Sequence, residues 1–576
     1  MSAEPGNKHR LFLLVLLAAL GLRFIGIWYG LPALYNSDEP FNVVQALSYG
    51  AKKSLAPTYF VYPTLYSYFL FAVYGMYYLA GKALGIFASP LDFGAAYFLN
   101  PTGLFFWGRL AGVILGTAAV GLVFQIGRRY FSGKIGLLAA AMLAFSFVHV
   151  DLSHWILLEP AAALITALAL YGIFRFNENP TIKTNFLASL VCGLALSTKY
   201  NAGLIFLPVL IVAFLNYKSN PVKLVAHLGL SVLFFLLGFI MGTPYWVIAF
   251  SKFWSTLKYT FAHVSTGMPG HLRSVPLVWP LGEMVFQDWG VGLMLVAGVI
   301  YALFQRERKS LLLAASVLPT LLMIGLWKRT GIHYLMPIYP ALSLCAALFL
   351  VSALEFLKSK KWQAAMFVLL FLPPVLKILY YDIRLTQKDS RAWAQEWIEA
   401  NIPLGSSIAY ENYVYGPNLF DPARFLKSPS ESQFIPVELR EKLLQERQLR
   451  PSYNLVNLRK DFRAGDSTAV DGWRFRNDYV RQIWETRLPK LTAVKNAGVE
   501  YLLTSSDNYN RYFLTEPEPG TPVWLAFQNG RAFYTSAFES KDLVLLKEFR
   551  AGFLSLGPTV RIYQFKNEAH DKKAAK

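Results

Sequence analysis

Three groups of side chains in this 576-residue chain have the chemistry to act on a substrate. The first is Ser37-Asp38-Glu39-Pro40, two adjacent acids directly after an apolar stretch. A carboxylate in that place can take a proton from a hydroxyl. The plainer alternative is a helix start, with Ser37 or Asp38 as cap and Pro40 in the first turn. The second group is Asp151, His154 and Glu159. Asp151 and His154 are spaced to share a face of a helical turn, which suits a hydrogen bond between them or, with an external acid, metal ligation. The third group is basic: Arg109, Lys199, Lys328, Arg329 and His333. Each alone reads as an anchor to lipid headgroups, and together with carboxylates on the same face they suit a phosphorylated lipid.

The elements that carry these groups follow from composition. The chain is 55% hydrophobic and only 16% charged, well below the roughly 25% charged residues of a soluble protein. Apolar blocks recur from Leu11 to Tyr381, and ordinary polarity returns from Asp382. A span needs about 20 apolar residues. Eleven candidates lie near 11–29, 104–126, 134–150, 160–176, 187–199, 203–216, 224–249, 290–304, 310–327, 334–353 and 362–381. Residues 1–381 therefore read as a membrane domain and 382–566 as a water-soluble α/β domain, with 567–576 as a disordered tail. In the α/β part, a helix is expected at 391–400 and strands at 407–410, 501–504, 543–549 and 560–565.

Basic turns give the direction of the spans. Arg128, Arg129 and Lys134 form one; Arg175 with Lys183, Lys218 with Lys223, Arg306 with Arg308 and Lys309, and Lys358 with Lys360 and Lys361 form the others. They fall at every second connection, so they and the N-terminus belong on the cytoplasmic side. The loops 30–103, 151–159, 199–202, 250–289 and 328–333 then face outward with the α/β domain. The Tyr-rich block 62–80 breaks that alternation if it spans, and is expected to lie in the outer interface, inside the first external loop. The apolar N-terminal run has no good cleavage site and reads as an uncleaved first helix.

Many of the basic residues behind the net charge of +20 sit in such short tracts between apolar blocks, so the charge does not indicate nucleic acid. Cys192 and Cys345 sit in apolar blocks and offer no disulfide framework. There is no GxGxxG, no Asp-x-Asp, and Gly127 to Lys134 has one residue too many for a phosphate loop. The lack of an Asn-x-Ser/Thr acceptor leans towards a prokaryotic source, and hence an inner (plasma) membrane.

The order of several short motifs resembles the GT-C membrane glycosyltransferases, in particular the group with protein O-mannosyltransferases and lipid A aminoarabinose transferases. They are Ser37-Asp38-Glu39-Pro40, Tyr62-Pro63-Thr64-Leu65, Phe106-Trp107-Gly108-Arg109-Leu110, Gly127-Arg128-Arg129 with Gly136 to Ala140, Ser197-Thr198-Lys199-Tyr200-Asn201, and His333 to Pro340. The segment from Asp389-Ser390-Arg391 to Ile408 resembles the start of the external domain in bacterial members. The resemblance implies a polytopic GT-C-like fold that inverts a sugar from a polyprenyl-phosphate donor onto a hydroxyl of protein, lipid or glycan. It implies Asp38 as catalytic carboxylate, Glu39 as its neighbour, Arg109 as donor-phosphate ligand, and the Asp151 to Glu159 loop as acceptor side. Lys199 is a second expected phosphate ligand. Tyr62 departs from the frequent His or Glu before the loop proline, and the second acid stays open between Asp151 and Glu159. A divalent metal is compatible with the family, though no metal site is clearly encoded. A transporter or lipid flippase, and a non-catalytic scaffold, are the rival classes.

The alternating basic turns make a direct prediction. A tag inserted at Gly133 is protected from outside reagents and one after Lys573 is accessible, as read by labelling of intact cells; labelling at Gly133 inverts the topology.

Overall fold

The computed structural model describes residues 5–272, 275–420, 441, 451–462, 487–514 and 516–566. The expected tail at 567–576 lies outside the described residues. The chain begins with helices Pro5–Phe24 (α1), Asp38–Ala51 (α2), Leu65–Ala83 (α3) and Pro90–Leu99 (α4). Thr102–Tyr130 (α5), Gly133–Ala144 (α6), Phe147–Ser153 (α7), Glu159–Glu178 (α8), Ile182–Thr198 (α9), Leu207–Tyr217 (α10) and Pro221–Gly242 (α11) follow. After these come Tyr245–Ile248 (α12), Phe250–Thr266 (α13), Trp279–Phe304 (α14), Arg308–Leu326 (α15), Tyr339–Phe356 (α16) and Lys360–Leu385 (α17).

All eleven apolar stretches fall on helices. Among the described residues eight helices are long and apolar enough to cross a membrane, or nine with the bent pair α6 and α7 taken as one span. The remaining two are α9, which is apolar but short, and α1, whose first turns carry Lys8 and Arg10. The chain is a polytopic membrane protein. The Tyr-rich helix α3 is not among the eight. It buries Tyr66, Leu70 and Tyr74 in a small core shared with Leu104 and Phe105 of α5.

Two expected spans are broken. The stretch read as 134–150 bends by 59° between α6 and α7, where Ser146 leaves the helix and its hydroxyl caps α7 by accepting from His149 N at 3.1 Å. In α14 the break is at Trp289, whose φ of 51° lies in the left-handed region. That is where the apolar reading began its span.

Without water between helices, association depends on close packing, so small residues sit at the crossings. A Cβ on Gly193 of α9 would come within 2.0 Å of the Phe235 carbonyl oxygen, and one on Gly238 of α11 within 2.1 Å of the Leu190 oxygen. The two backbones touch there.

The C-terminal α/β part includes Ser390–Asn401 (α18) and a five-stranded sheet. Its strands are Ser407–Tyr410 (β1), Asn454–Asn457 (β2), Tyr501–Ser505 (β3), Leu543–Phe549 (β4) and Val560–Phe565 (β5), in the order β2-β1-β3-β5-β4. β1 pairs parallel with β2 and β3, whereas β5 pairs antiparallel with β3 and β4. Four strands and α18 match expectation almost residue for residue. The edge strand β2 (Asn-Leu-Val-Asn) has only two apolar residues and carries no readable alternation. The polarity change at Asp382 falls inside α17, which runs on to Leu385.

Candidate active site

Helix α2 starts at Asp38. Ser37 precedes it with helical backbone angles and makes no side-chain cap bond. The capping task falls to Asn36, whose Oδ1 accepts from Asp38 N at 2.9 Å. The Asp38 carboxylate is therefore free of the cap, and among the described residues only the Ser37 hydroxyl donates to it, at 3.3 Å. Successive helix residues point roughly 100° apart, so Asp38 and Glu39 face different surroundings.

Glu39 is fully buried and forms a two-pronged ion pair with Arg109, Nε to Oε1 and Nη2 to Oε2, both at 2.8 Å. Glu39 Oε1 also accepts from Ile156 N at 3.0 Å. Arg109 Nη1 donates to the carbonyls of Ile27 at 2.9 Å and Tyr29 at 2.8 Å, and the guanidinium lies 5.0 Å from the Trp155 ring centre. These contacts correct the expectation for both residues. Arg109 is 1% exposed and spends four of its five N–H donors on Glu39 and two backbone carbonyls, so it clamps the site's framework and is closed off from a phosphate. Glu39 is its counter-ion rather than part of the reacting surface.

Asp38 instead opens on a cavity of about 180 Å³, lined with it by Asn42, Tyr62, Asp151, Glu159 and His333. Protein on the other sides of the carboxylate partly desolvates it, and Glu159 adds like charge; together these raise its pKa above the usual carboxylate value, against the pull of Ser37, Arg329 and Lys199.

Glu159 opens α8 and is held by Lys199, which follows α9: Nζ donates to Oε1 at 2.7 Å and to the His333 carbonyl at 2.9 Å. The pair is about 5% exposed, and Glu159 Oε2 has no partner among the described residues. Lys199 thus reaches the cavity wall bound to an acid. Asp151 lines the same cavity, with Oδ1 accepting from the Tyr381 hydroxyl at 2.6 Å and the Trp155 indole at 3.2 Å.

His154 does not join it. Its Nδ1 lies 2.9 Å from the Val150 carbonyl, and its Nε2 lies 2.9 Å from the Ile25 carbonyl and 3.5 Å from Asp382. Helix α7, which was expected to align it with Asp151, ends at Ser153, and His154 is not among the residues that line the cavity. Among the described residues no group of three or more His, Cys, Asp or Glu side chains is arranged to hold a metal.

A further cation, Arg329, acts electrostatically on Asp38. It sits in a bridge between Leu272 and Arg329, with Nη1 3.3 Å from His263 Nδ1, and its buried Nε has no partner among the described residues. Burial, followed by the charge of Arg329, lowers the pKa of His263 to about 3 and that of His271 to about 4, so both imidazoles are neutral. Lys328 points away to Glu518 at 3.4 Å.

Several participants were missed in the sequence. Asn36 and Asn42 flank the acid pair, and Asn42 Nδ2 reaches the Ile156 carbonyl at 2.9 Å. Asp288 accepts from Val148 N, the Ser146 hydroxyl and the Tyr339 hydroxyl at 3.0 Å each, and so fixes the break before α7. An acid at the edge of an apolar run was a usable signal for Asp288; nothing local marked Tyr381 as the partner of Asp151.

A polytopic helical membrane domain with carboxylates and cations gathered round one cavity is the class that fold and site define. Residues 103–246 match the family model described as dolichyl-phosphate-mannose-protein mannosyltransferase. Two solved structures are similar in outline. The apo oligosaccharyltransferase of Archaeoglobus fulgidus aligns at 13% identity over 88% of this chain and 71% of its own, with a TM-score of 0.49. ArnT from Cupriavidus metallidurans bound to undecaprenyl phosphate aligns at 13% identity over 97% and 98% of the two chains, with a TM-score of 0.48. No curated protein matches the chain in sequence. The family match lies within the membrane part and takes in Arg109, Asp151, Glu159 and Lys199.

The buried clamp is testable by stability. Glu39→Gln and Arg109→Ala each leave a buried charge unpaired and lower stability by about 3–5 kcal/mol, read from unfolding in detergent. Arg109→Lys recovers little of this, because an ammonium cannot span the four acceptors; unchanged unfolding in these variants removes the clamp.

Proposed function

We propose that the protein transfers a sugar from a polyprenyl-phosphate donor to an acceptor hydroxyl on the extracytoplasmic face, with inversion. The observation that carries this reading is the Asp38 carboxylate, free of its helix cap, on a polar cavity and within the electrostatic reach of Arg329, whose Nε has no partner among the described residues. The lipid phosphate is already a competent leaving group, so the work of the site is to position the acceptor and manage charge. Asp38 takes the hydroxyl proton as the acceptor oxygen bonds to the anomeric carbon. The carbon–oxygen bond to phosphate breaks on the opposite face, and the departing phosphate carries its electron pair towards Arg329.

Arg329 takes over the donor-phosphate role first given to Arg109, and His333, which lines the cavity, borders the same ground. Lys199 contributes positive potential through its pair with Glu159. Asp151 and Glu159 form the acceptor side, where the unpartnered Glu159 Oε2 offers an acceptor to a substrate hydroxyl. The basic turns support the placement of the cavity and the soluble domain outside the cytoplasm in an inner membrane. A transporter gains nothing from this arrangement, in which the charges gather round one cavity and not along a path.

Purified protein incubated with radiolabelled polyprenyl-phosphate mannose and total membranes provides the assay. Asp38→Asn lowers turnover by at least about 10²-fold while the protein stays folded. Near-normal turnover moves the base to Asp151 or Glu159. Because only ionised Asp38 accepts a proton and its pKa is raised, activity climbs with pH through a limb lying above the ordinary aspartate value of about 4. A profile flat across that range contradicts the assignment.

Arg329 makes a separate prediction on donor affinity. Arg329→Ala raises the donor KM by about tenfold or more, and Arg329→Lys less, because guanidinium grips phosphate with two parallel hydrogen bonds. Equal KM in wild type and both variants excludes it from the donor site.

A further inference from the structure

The segment from Ile25 to Asn36 joins α1 to α2 and leads through Ser37 into Asp38. It contains no regular helix or strand of its own beyond turns, so its position depends on what grips it. From the membrane side Arg109 takes the carbonyls of Ile27 and Tyr29. A second grip comes from the soluble domain.

Asp389 caps α18 and is 2% exposed; Arg391, two residues on, is 5% exposed. Arg391 donates to Asp389 through Nε and Nη2, each at 2.8 Å. Both residues also reach across the domain boundary. The Tyr29 hydroxyl donates to Asp389 Oδ2. Arg391 Nη1 donates to the Tyr35 carbonyl at 3.3 Å and to Val414 O at 3.0 Å, and its guanidinium carbon lies 3.9 Å from the centre of the Tyr35 ring. Tyr29 and Tyr35 bracket the segment, and Asn36, the cap of α2, follows Tyr35 directly.

Other contacts dock the two domains without touching this segment. Arg384 of α17 donates to the Ser555 carbonyl at 2.9 and 2.7 Å, and the Tyr380 hydroxyl to the Phe553 carbonyl at 2.5 Å. Docking alone therefore does not require the Asp389 and Arg391 pair to hold Tyr29 and Tyr35.

We propose that Asp389 and Arg391 are positioning residues for Asp38: the soluble domain holds the Tyr29 to Asn36 segment and thereby sets the place of the carboxylate on the cavity. The kinetic part rests on Asp38 being the base. A displacement of about 1 Å at a reacting group costs roughly 10²-fold in rate, so a loosened segment lowers turnover while the donor site, on other elements, keeps its affinity.

The test uses the full chain and a reporter independent of catalysis. Cys192 and Cys345 are both buried, so a cysteine placed by Asp38→Cys is the exposed thiol for a methanethiosulfonate reagent. Adding Arg391→Ala changes its labelling rate by about fivefold or more, Arg391→Lys partly restores it, and the docking control Arg384→Ala leaves it within about twofold, because a thiol's reactivity follows its exposure and surroundings. With Asp38 intact, Arg391→Ala and Tyr29→Phe lower kcat on polyprenyl-phosphate mannose by about tenfold or more, with KM within about threefold. Tyr29→Phe removes one hydroxyl and decides the matter if Arg391→Ala fails to fold. Labelling rates within twofold of the parent in Arg391→Ala and Tyr29→Phe alike, or an equal change in Arg384→Ala, overturn the proposal. A wild-type protein that transfers no sugar overturns the glycosyltransferase reading instead, and the labelling arm still decides the coupling.

Discussion

The bidentate contact between Arg109 and Glu39 is the constraint from which the site's geometry descends. Both groups are buried, and an ion pair in such surroundings is tolerated only when each donor and acceptor is met, since the desolvation of either charge alone costs several kcal/mol. Arg109 on α5 consequently dictates where α2 begins, where the Ile27 and Tyr29 carbonyls lie and, through Glu39 Oε1, where the Ile156 amide sits. With Glu39 turned inward, the helical rotation of roughly 100° per residue leaves Asp38 facing elsewhere. The adjacent acid is thus placed on the cavity by a pair that never touches it.

Charges in this protein divide into two kinds by how completely they are met. Glu39 with Arg109 and Asp389 with Arg391 are buried and closed; Glu411 in the soluble domain is likewise met by Arg459, Tyr512 and Tyr534. These hold backbone segments. Asp38 and Glu159 line one cavity, the charge of Arg329 acts on Asp38, and Glu159 Oε2 and Arg329 Nε have no partner among the described residues. In surroundings of reduced dielectric an unmet polar group is costly, and its persistence is most simply understood where a ligand completes it. The neutral imidazoles of His263 and His271 fit the same logic: burial beside Arg329 keeps them from adding charge that nothing present balances.

Small residues and breaks matter as much as charges for shaping the membrane part. The close backbone approach at Gly193 and Gly238 locks α9 against α11, and so fixes the end of α9 from which Lys199 extends. The interruption before α7, held by Asp288, turns the chain so that Asp151 arrives at the cavity. A straight span there would carry its side chains past the site.

Apolar length and period are local properties, so the sequence by itself determined the eleven helical stretches, four of the five strands, α18, and the candidacy of Asp38 as an acid beyond what a cap requires. It also determined which residues were charged in costly places, since that needs only composition along the chain. Which charge meets which is a property of space. Arg109 looked like a phosphate ligand until its guanidinium was seen filled by Glu39 and two carbonyls, and His154 looked like a partner of Asp151 until the turn between them ended at Ser153. Arg329 stood in sequence as one basic residue among five; only the fold brings its charge to bear on Asp38 and leaves its Nε without a partner among the described residues. The tertiary structure decides these assignments because the free energy of a buried charge depends on every group that closes round it, and those groups come from segments up to hundreds of residues apart.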